Sequence, residues 1–153
     1  MTINSDGSTS FDSWYEWYPQ YSITFDPSQF SFGAGDTIFV SVQSITSTDG
    51  TVTLQNLSTG QSVTQDVSAP DSSSALGGQN AEWIVEDFDE NGSQVAFTDF
   101  GSVSFTNALA QTAQGSTLGT DGADIIEIVD DNNNVITQVS IPNSAEVDVV
   151  YSG

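Results

Sequence analysis

The chain contains no lysine, no arginine, no histidine and no cysteine among its 153 residues, while 21 aspartates and glutamates give it a formal charge of -21 at pH 7. An average domain is about a quarter charged with both signs represented, so missing bases rather than extra acids set this sequence apart. Each absence removes a chemistry. Ser-His and Cys-His nucleophile pairs, Schiff-base lysines, histidine or thiolate metal sites and arginine phosphate clamps all need residues that do not occur here. Nucleic acid is excluded as a partner because nothing neutralises phosphate, and anionic membrane surfaces repel the chain for the same reason. No apolar run approaches the ~20 residues of a membrane-spanning helix. The opening Met-Thr-Ile-Asn-Ser-Asp has neither the basic nor the apolar region of a signal peptide. The sequence calls for no metal and no cofactor.

Carboxylates, hydroxyls, amides and aromatics remain. Acids make up the whole 14% charged fraction, an ordinary share, whereas a salt-adapted surface would carry more. A protein made for acid can dispense with bases, because protonating Asp and Glu brings its net charge towards zero. Acid is therefore the first reading and high salt the second, and partners should be neutral or cationic. Mutual repulsion is expected to raise the carboxyl pKa values, making the fold more stable in acid than at alkaline pH.

With 37% hydrophobic and 10% aromatic residues the chain can bury a moderate core. Its apolar pattern has period two almost throughout, with Gly, Asn, Asp, Ser and Pro clusters between short runs, which predicts an all-β chain. Strands are expected at 37–45 and 52–54, joined across Asp49-Gly50 as a hairpin, and at 61–67 after the turn Leu57-Ser58-Thr59-Gly60. Further strands are expected at 81–88, 95–100, 102–106, 124–129, 135–141 and 146–151. Such a series points to an antiparallel β-sandwich, residues 1–153 forming a single domain. The longest loop signal, 68–80, fits either a lid or a plain surface loop. Asp130, Asn132 and Asn134 have the first three spacings of a calcium loop, but the glycine at the sixth position and the glutamate at the twelfth are missing. A hairpin turn explains them better. Asn56-Leu57-Ser58 and Asn91-Gly92-Ser93 fit the glycosylation sequon, a triplet that also arises by chance.

Two segments carry chemistry. In Phe11-Asp12-Ser13-Trp14-Tyr15-Glu16-Trp17-Tyr18-Pro19, strand alternation puts Asp12, Trp14, Glu16 and Tyr18 on one face. A core would not choose two carboxylates and a plain solvent face would not choose a Trp and a Tyr, so a ligand groove competes with an ordinary surface. In Ala81-Glu82-Trp83-Ile84-Val85-Glu86-Asp87-Phe88, the residues Glu82, Ile84, Glu86 and Phe88 share a face. Glu86 between Ile84 and Phe88 would sit on an apolar surface that suits it to acid–base work. A solvated edge residue is the alternative.

At these residues the chain resembles the glutamic peptidases, or eqolisins. The likeness is carried by Trp14-Tyr15-Glu16-Trp17-Tyr18-Pro19, Asn56-Leu57-Ser58-Thr59-Gly60-Gln61-Ser62-Val63-Thr64, Ala81-Glu82-Trp83-Ile84-Val85-Glu86-Asp87-Phe88 and Asp99-Phe100-Gly101-Ser102-Val103-Ser104-Phe105-Thr106-Asn107. It spans nearly the whole chain from Asp6 onward. The resemblance implies a concanavalin A-like sandwich of jelly-roll type, a secreted acid endopeptidase and a protein or peptide substrate. It makes Glu86 the catalytic glutamate and has Asp12, Trp14, Glu16, Tyr18 and Phe88 line or support the cleft. The family's catalytic glutamine lies in an Ile-Leu-Gln-Thr-Gly-like strand upstream of the segment matching Asp6-Gly7, and no glutamine here sits in that motif. The chain thus reads as the C-terminal part of such an enzyme, inactive without an N-terminal segment that supplies the glutamine. A non-catalytic β-sandwich module binding peptide or carbohydrate is the alternative, and a salt-adapted surface protein a weaker third.

Overall fold

A computed structural model describes residues 2–3, 6–87, 89–90, 93–94, 97–130 and 132–153. The chain divides into two compact units, Met1–Gln79 and Asn80–Gly153. Every sheet in both is antiparallel, and no α-helix occurs among the described residues. The all-β expectation holds.

The first unit is built on a three-stranded meander of Ile38–Ser44, Asp49–Asn56 and Ser62–Ser68, with the middle strand in sequence also in the middle of the sheet. Its register puts Val40 opposite Leu54 and Leu54 opposite Val63. Because strand side chains alternate between faces, this stacks Ile38, Leu54, Val52 and Val63 on one side, where they meet Phe25, Phe30, Phe32 and Tyr15 to form the core. Apart from Phe39 the opposite face is polar, and Thr53 and Thr64 bridge it through their hydroxyls at 2.9 Å.

The hairpin expected at 37–54 is present, but its turn lies at residues 45–48 and not at Asp49-Gly50. Asp49 and Gly50 are strand residues, Gly50 pairing with Ser44. The Asp49 carboxylate closes the turn by accepting from the hydroxyls of Thr46 (2.8 Å), Thr48 (3.1 Å) and Ser68 (2.9 Å). Glycine is needed at 50 because a Cβ there would lie 2.6 Å from the Gln43 carbonyl oxygen, a close-approach role that a turn-propensity reading mistakes for a bend. The second turn is as expected. Gly60 takes a positive φ of 84° and donates to the Asn56 carbonyl, while the Asn56 side chain accepts from the Ser58 and Thr59 amides. Asn56 is fully buried, its amide spent on Ser31 and Asp36, so the first sequon is a structural turn. The second falls partly outside the described residues.

In the second unit the sheet runs Ser102–Thr106, Glu146–Tyr151, Thr137–Asn143. Val103, Val149 and Val139 line one face, with Phe105 beside Val147, and Val147 and Val149 are buried. Phe97, Phe100 and Tyr151 form a ring cluster with centroids 5.8 to 6.1 Å apart.

Three expected strands are corrected. Residues 82–87 keep a two-residue alternation of exposure, but 81–86 join no strand ladder among the described residues; alternation fixes faces, not neighbours. Residues 97–100 are irregular, ending where the Asp99 carboxylate accepts from the Gly101 amide at 2.9 Å, while 95 and 96 lie outside the described residues. Only Val129 of 124–129 makes a ladder contact, with Val135. The Ile136 amide donates to the Ile128 carbonyl at 2.9 Å, and side chains take neighbouring donors: the Thr137 hydroxyl accepts from Ile128 and the Glu127 carboxylate from Val139. The turn at 130–134 is the expected hairpin. Asp130 accepts from the amides of Asn132 and Asn134 at 2.8 Å and from the Asn134 side chain at 2.9 Å, and Asn133 is left-handed at φ 61°.

Candidate functional site

The segment from Phe11 to Tyr18 shows why its faces separate. Trp14 and Tyr15 pair with Thr24 and Ile23, and the Phe25 amide donates to the Ser13 carbonyl at 2.9 Å, which holds the chain extended. Tyr15 then packs on the buried Phe25 with ring centroids 5.0 Å apart, and Phe11 packs on Phe32 at 5.6 Å. Trp17, also half-buried, donates through Nε1 to the Ser74 carbonyl at 2.8 Å. Pinning the odd-numbered residues inward forces the even-numbered ones out. Asp12, Trp14, Glu16 and Tyr18 are all exposed, Trp14 by 53% and Tyr18 by 81%. The sequence-based face is thus present: two carboxylates beside two rings, open to solvent.

Beside this face is a cavity of about 110 Å³, bordered by Tyr15, Glu16, Trp17, Tyr21 and Asp66. Sequence reasoning missed Tyr21 and Asp66. Tyr21 is almost wholly exposed, and an unburied ring two residues past Pro19 was the available signal. Asp66 lies on the polar face of a strand and gave none.

Trp17 also explains the 68–80 loop. Its indole seats a single 3-10 turn, Ser72–Ser74, whose first amides are capped by Asp71 accepting from Ser73 at 2.8 Å. Leu76 donates to Ser47 and Ala69 to Thr48, so the loop is fastened along the 45–48 turn.

Glu86 lies in the second unit. In the segment around it Trp83, Val85 and Asp87 are half-buried and Glu82, Ile84 and Glu86 are exposed, as the alternation predicts. Ile84 is 59% exposed, so the apolar surface beside Glu86 is open to water. Phe88 lies outside the described residues. Among the described residues no group of three or more carboxylates is arranged to hold a metal ion.

The electrostatics contradict one expectation. Repulsion was to raise the carboxyl pKa values, yet every resolved shift among the described residues is downward. Asp36 is lowered by the Asn56 side chain and then the Gly33 amide. Asp49 is lowered by Thr46, Ser68 and Thr48, and Asp6, Asp26, Asp71 and Asp130 by neighbouring serine or asparagine donors. Short-range donors outweigh long-range repulsion because a hydrogen bond to the charged form acts at contact, whereas charges spread over a wetted surface are screened.

Residues 1–151 match the Peptidase A4 family. The chain is 47% identical over 146 residues to aspergillopepsin-2 of Aspergillus niger, which covers 95% of this chain and 50% of that protein. Aspergilloglutamic peptidase from Aspergillus niger has a similar crystal structure, with a TM-score of 0.86 and 45% identity over 97% of this chain and 84% of that one. Scytalido-glutamic peptidase, solved with a peptide-based transition state analog, gives a TM-score of 0.82 at 36% identity over 95% of this chain and 71% of that one. The chain spans about half the length of the curated relatives it matches.

Proposed function

We propose, from the premise that the chain belongs to the Peptidase A4 family, the eqolisins, that it forms part of a secreted glutamic endopeptidase, residues 1–153 belonging to one β-sandwich catalytic domain. The observation that carries the reading is a subtraction. Membership of a peptidase family in a chain without histidine, cysteine or lysine leaves carboxylates as the only side chains that can trade protons in acid.

Glu86 is the general base. Its carboxylate takes a proton from a water molecule as the water oxygen bonds to the scissile carbonyl carbon. A glutamine side-chain amide from a segment outside these residues donates to the resulting oxyanion. When the tetrahedral intermediate collapses the carbon–nitrogen bond breaks, and Glu86 returns the proton to the leaving nitrogen. A glutamate with a reference pKa of about 4.3 is partly ionised in mild acid, and an amide partner does not titrate, so the pair works where an imidazole would stay charged. No cofactor enters any step.

Asp12, Trp14, Glu16, Tyr18 and Phe88 are assigned to substrate binding. The exposed pairing of rings with carboxylates in the first four supports contact with an extended peptide, as does the peptide-based analog bound by scytalido-glutamic peptidase. The same face favours the second reading, a module that binds without cutting. Adding an N-terminal segment that carries the glutamine, as a separate chain, separates the two. Acid hydrolysis of denatured protein should rise by roughly 100 to 1,000-fold over the chain alone, the usual worth of one oxyanion donor. Peptide binding with no hydrolysis in the reconstituted mixture would favour the module.

A further inference from the structure

Four prolines occur in the chain, after Tyr18, Asp26, Ala69 and Ile141, so Asp26–Pro27 is the single Asp–Pro bond. Such a bond has a route to scission in acid that other peptide bonds lack. The aspartate carboxylate oxygen bonds to its own main-chain carbonyl carbon, closing a five-membered anhydride. The bond to the proline nitrogen breaks, and that nitrogen, more basic than a secondary amide, takes up the proton and departs as an ammonium. Water then opens the anhydride, leaving Asp26 as a new C-terminus and Pro27 as a new N-terminus, with one water consumed.

Residues 26–29 are exposed, so neither water nor protons are kept from the bond. Geometry is what differs from an open chain. Oδ1 of Asp26 accepts from the Ser28 amide at 2.8 Å. The Asp26 carbonyl, which the carboxylate would have to attack, accepts from Gln29 at 2.9 Å and Phe30 at 3.1 Å. On either side the chain is anchored by Phe25 and Phe30, 5% and 2% exposed, in the same core cluster as Leu54. Closing the anhydride requires the carboxylate to leave Ser28 and the carbonyl carbon to become tetrahedral inside a fixed turn. The two anchors also hold the departing proline beside the anhydride, where it can return before water arrives.

We propose that Asp26–Pro27 is a latent acid-scission site guarded by the Asp26 turn, so that the chain is cut there when the turn opens and stays whole while it is folded. In acid this makes local unfolding irreversible at one defined bond. The inference does not rest on the peptidase reading, since Glu86 takes no part.

The test follows the full chain by intact mass at about pH 3.5, where Asp is partly ionised, in buffer and in concentrated guanidinium. No fold, and so no enzymatic activity, survives in guanidinium, which isolates the bond's own chemistry. Fragments 1–26 and 27–153 should appear in guanidinium and be absent there from Asp26→Asn. In buffer, with circular dichroism showing a folded chain, the same cut should be slower by roughly tenfold or more, the factor that about 1.4 kcal/mol of opening free energy supplies. Phe30→Ala, which loosens one anchor, should bring the buffer rate towards the guanidinium rate. Equal rates in buffer and guanidinium for the folded chain would overturn the proposal, as would a cut in guanidinium that survives Asp26→Asn.

Discussion

Six aspartates, at 6, 26, 36, 49, 71 and 130, do one job in this chain: each puts its carboxylate on hydroxyl or amide donors at a turn, Asp6, Asp26, Asp71 and Asp130 on donors a few residues away and Asp36 and Asp49 also on the distant Asn56 and Ser68. With no cation available, hydroxyls and amides replace ion pairs. Their folded-state pKa values are depressed below the unfolded value of about 3.9, so they contribute stability that is fully present above that value and is lost as pH falls through the folded values. The unfolding midpoint should therefore fall as the solution is taken from about pH 5 towards pH 2, and Asp49→Asn should flatten that slope. Thermal melts across the range check both, and a midpoint that climbs continuously into acid would restore the repulsion argument. The candidate site was legible at this scale because period two requires only that one face be held. Tyr15 on Phe25 and Trp17 on Ser74 hold it, so Asp12, Trp14, Glu16 and Tyr18 emerge together. Asp66 was not legible, since it comes to that cavity on a strand, Ser62–Ser68, whose placement beside the 11–18 segment no local pattern encodes.

Strands and turns differ in how far the sequence reveals them. Where a hydrophobic alternation is followed by its partner within a few residues, as in 38–44 with 49–56 or 137–143 with 146–151, a short hairpin realises the local signal. Where the partner is remote, as for 82–86, the alternation survives and the ladder does not, and in 124–128, where residues 124–127 are all exposed, neither does. Gly50 is the sharpest case, because a residue chosen for close approach inside a strand carries the same signal as one chosen for a turn. Gly50→Ala drives a Cβ against the Gln43 carbonyl, and overpacking of this kind typically costs about 1–3 kcal/mol. Urea unfolding should show that loss. A Gly50→Ala chain as stable as its parent would mean that the 38–44 strand gives way at no cost.

For the whole molecule, family membership and missing bases both support the proposed carboxylate catalysis, since the chain has no other side chain suited to trading protons in acid. The family matches residues 1–151, and the chain spans about half the length of its curated relatives, so the proposed activity is tested in the reconstituted mixture. Glu82 and Glu86 make the most direct comparison available. They lie on the same exposed face of one segment, on either side of Ile84, and differ in the role assigned to them and little else. In the reconstituted mixture, Glu86→Gln should cut the rate of acid peptide hydrolysis by about 100 to 10,000-fold, the usual worth of a general base, while Glu82→Gln stays within a few-fold of the parent and both retain its circular dichroism. A Glu86→Gln chain as active as its parent, or a Glu82→Gln chain equally disabled, would contradict the account.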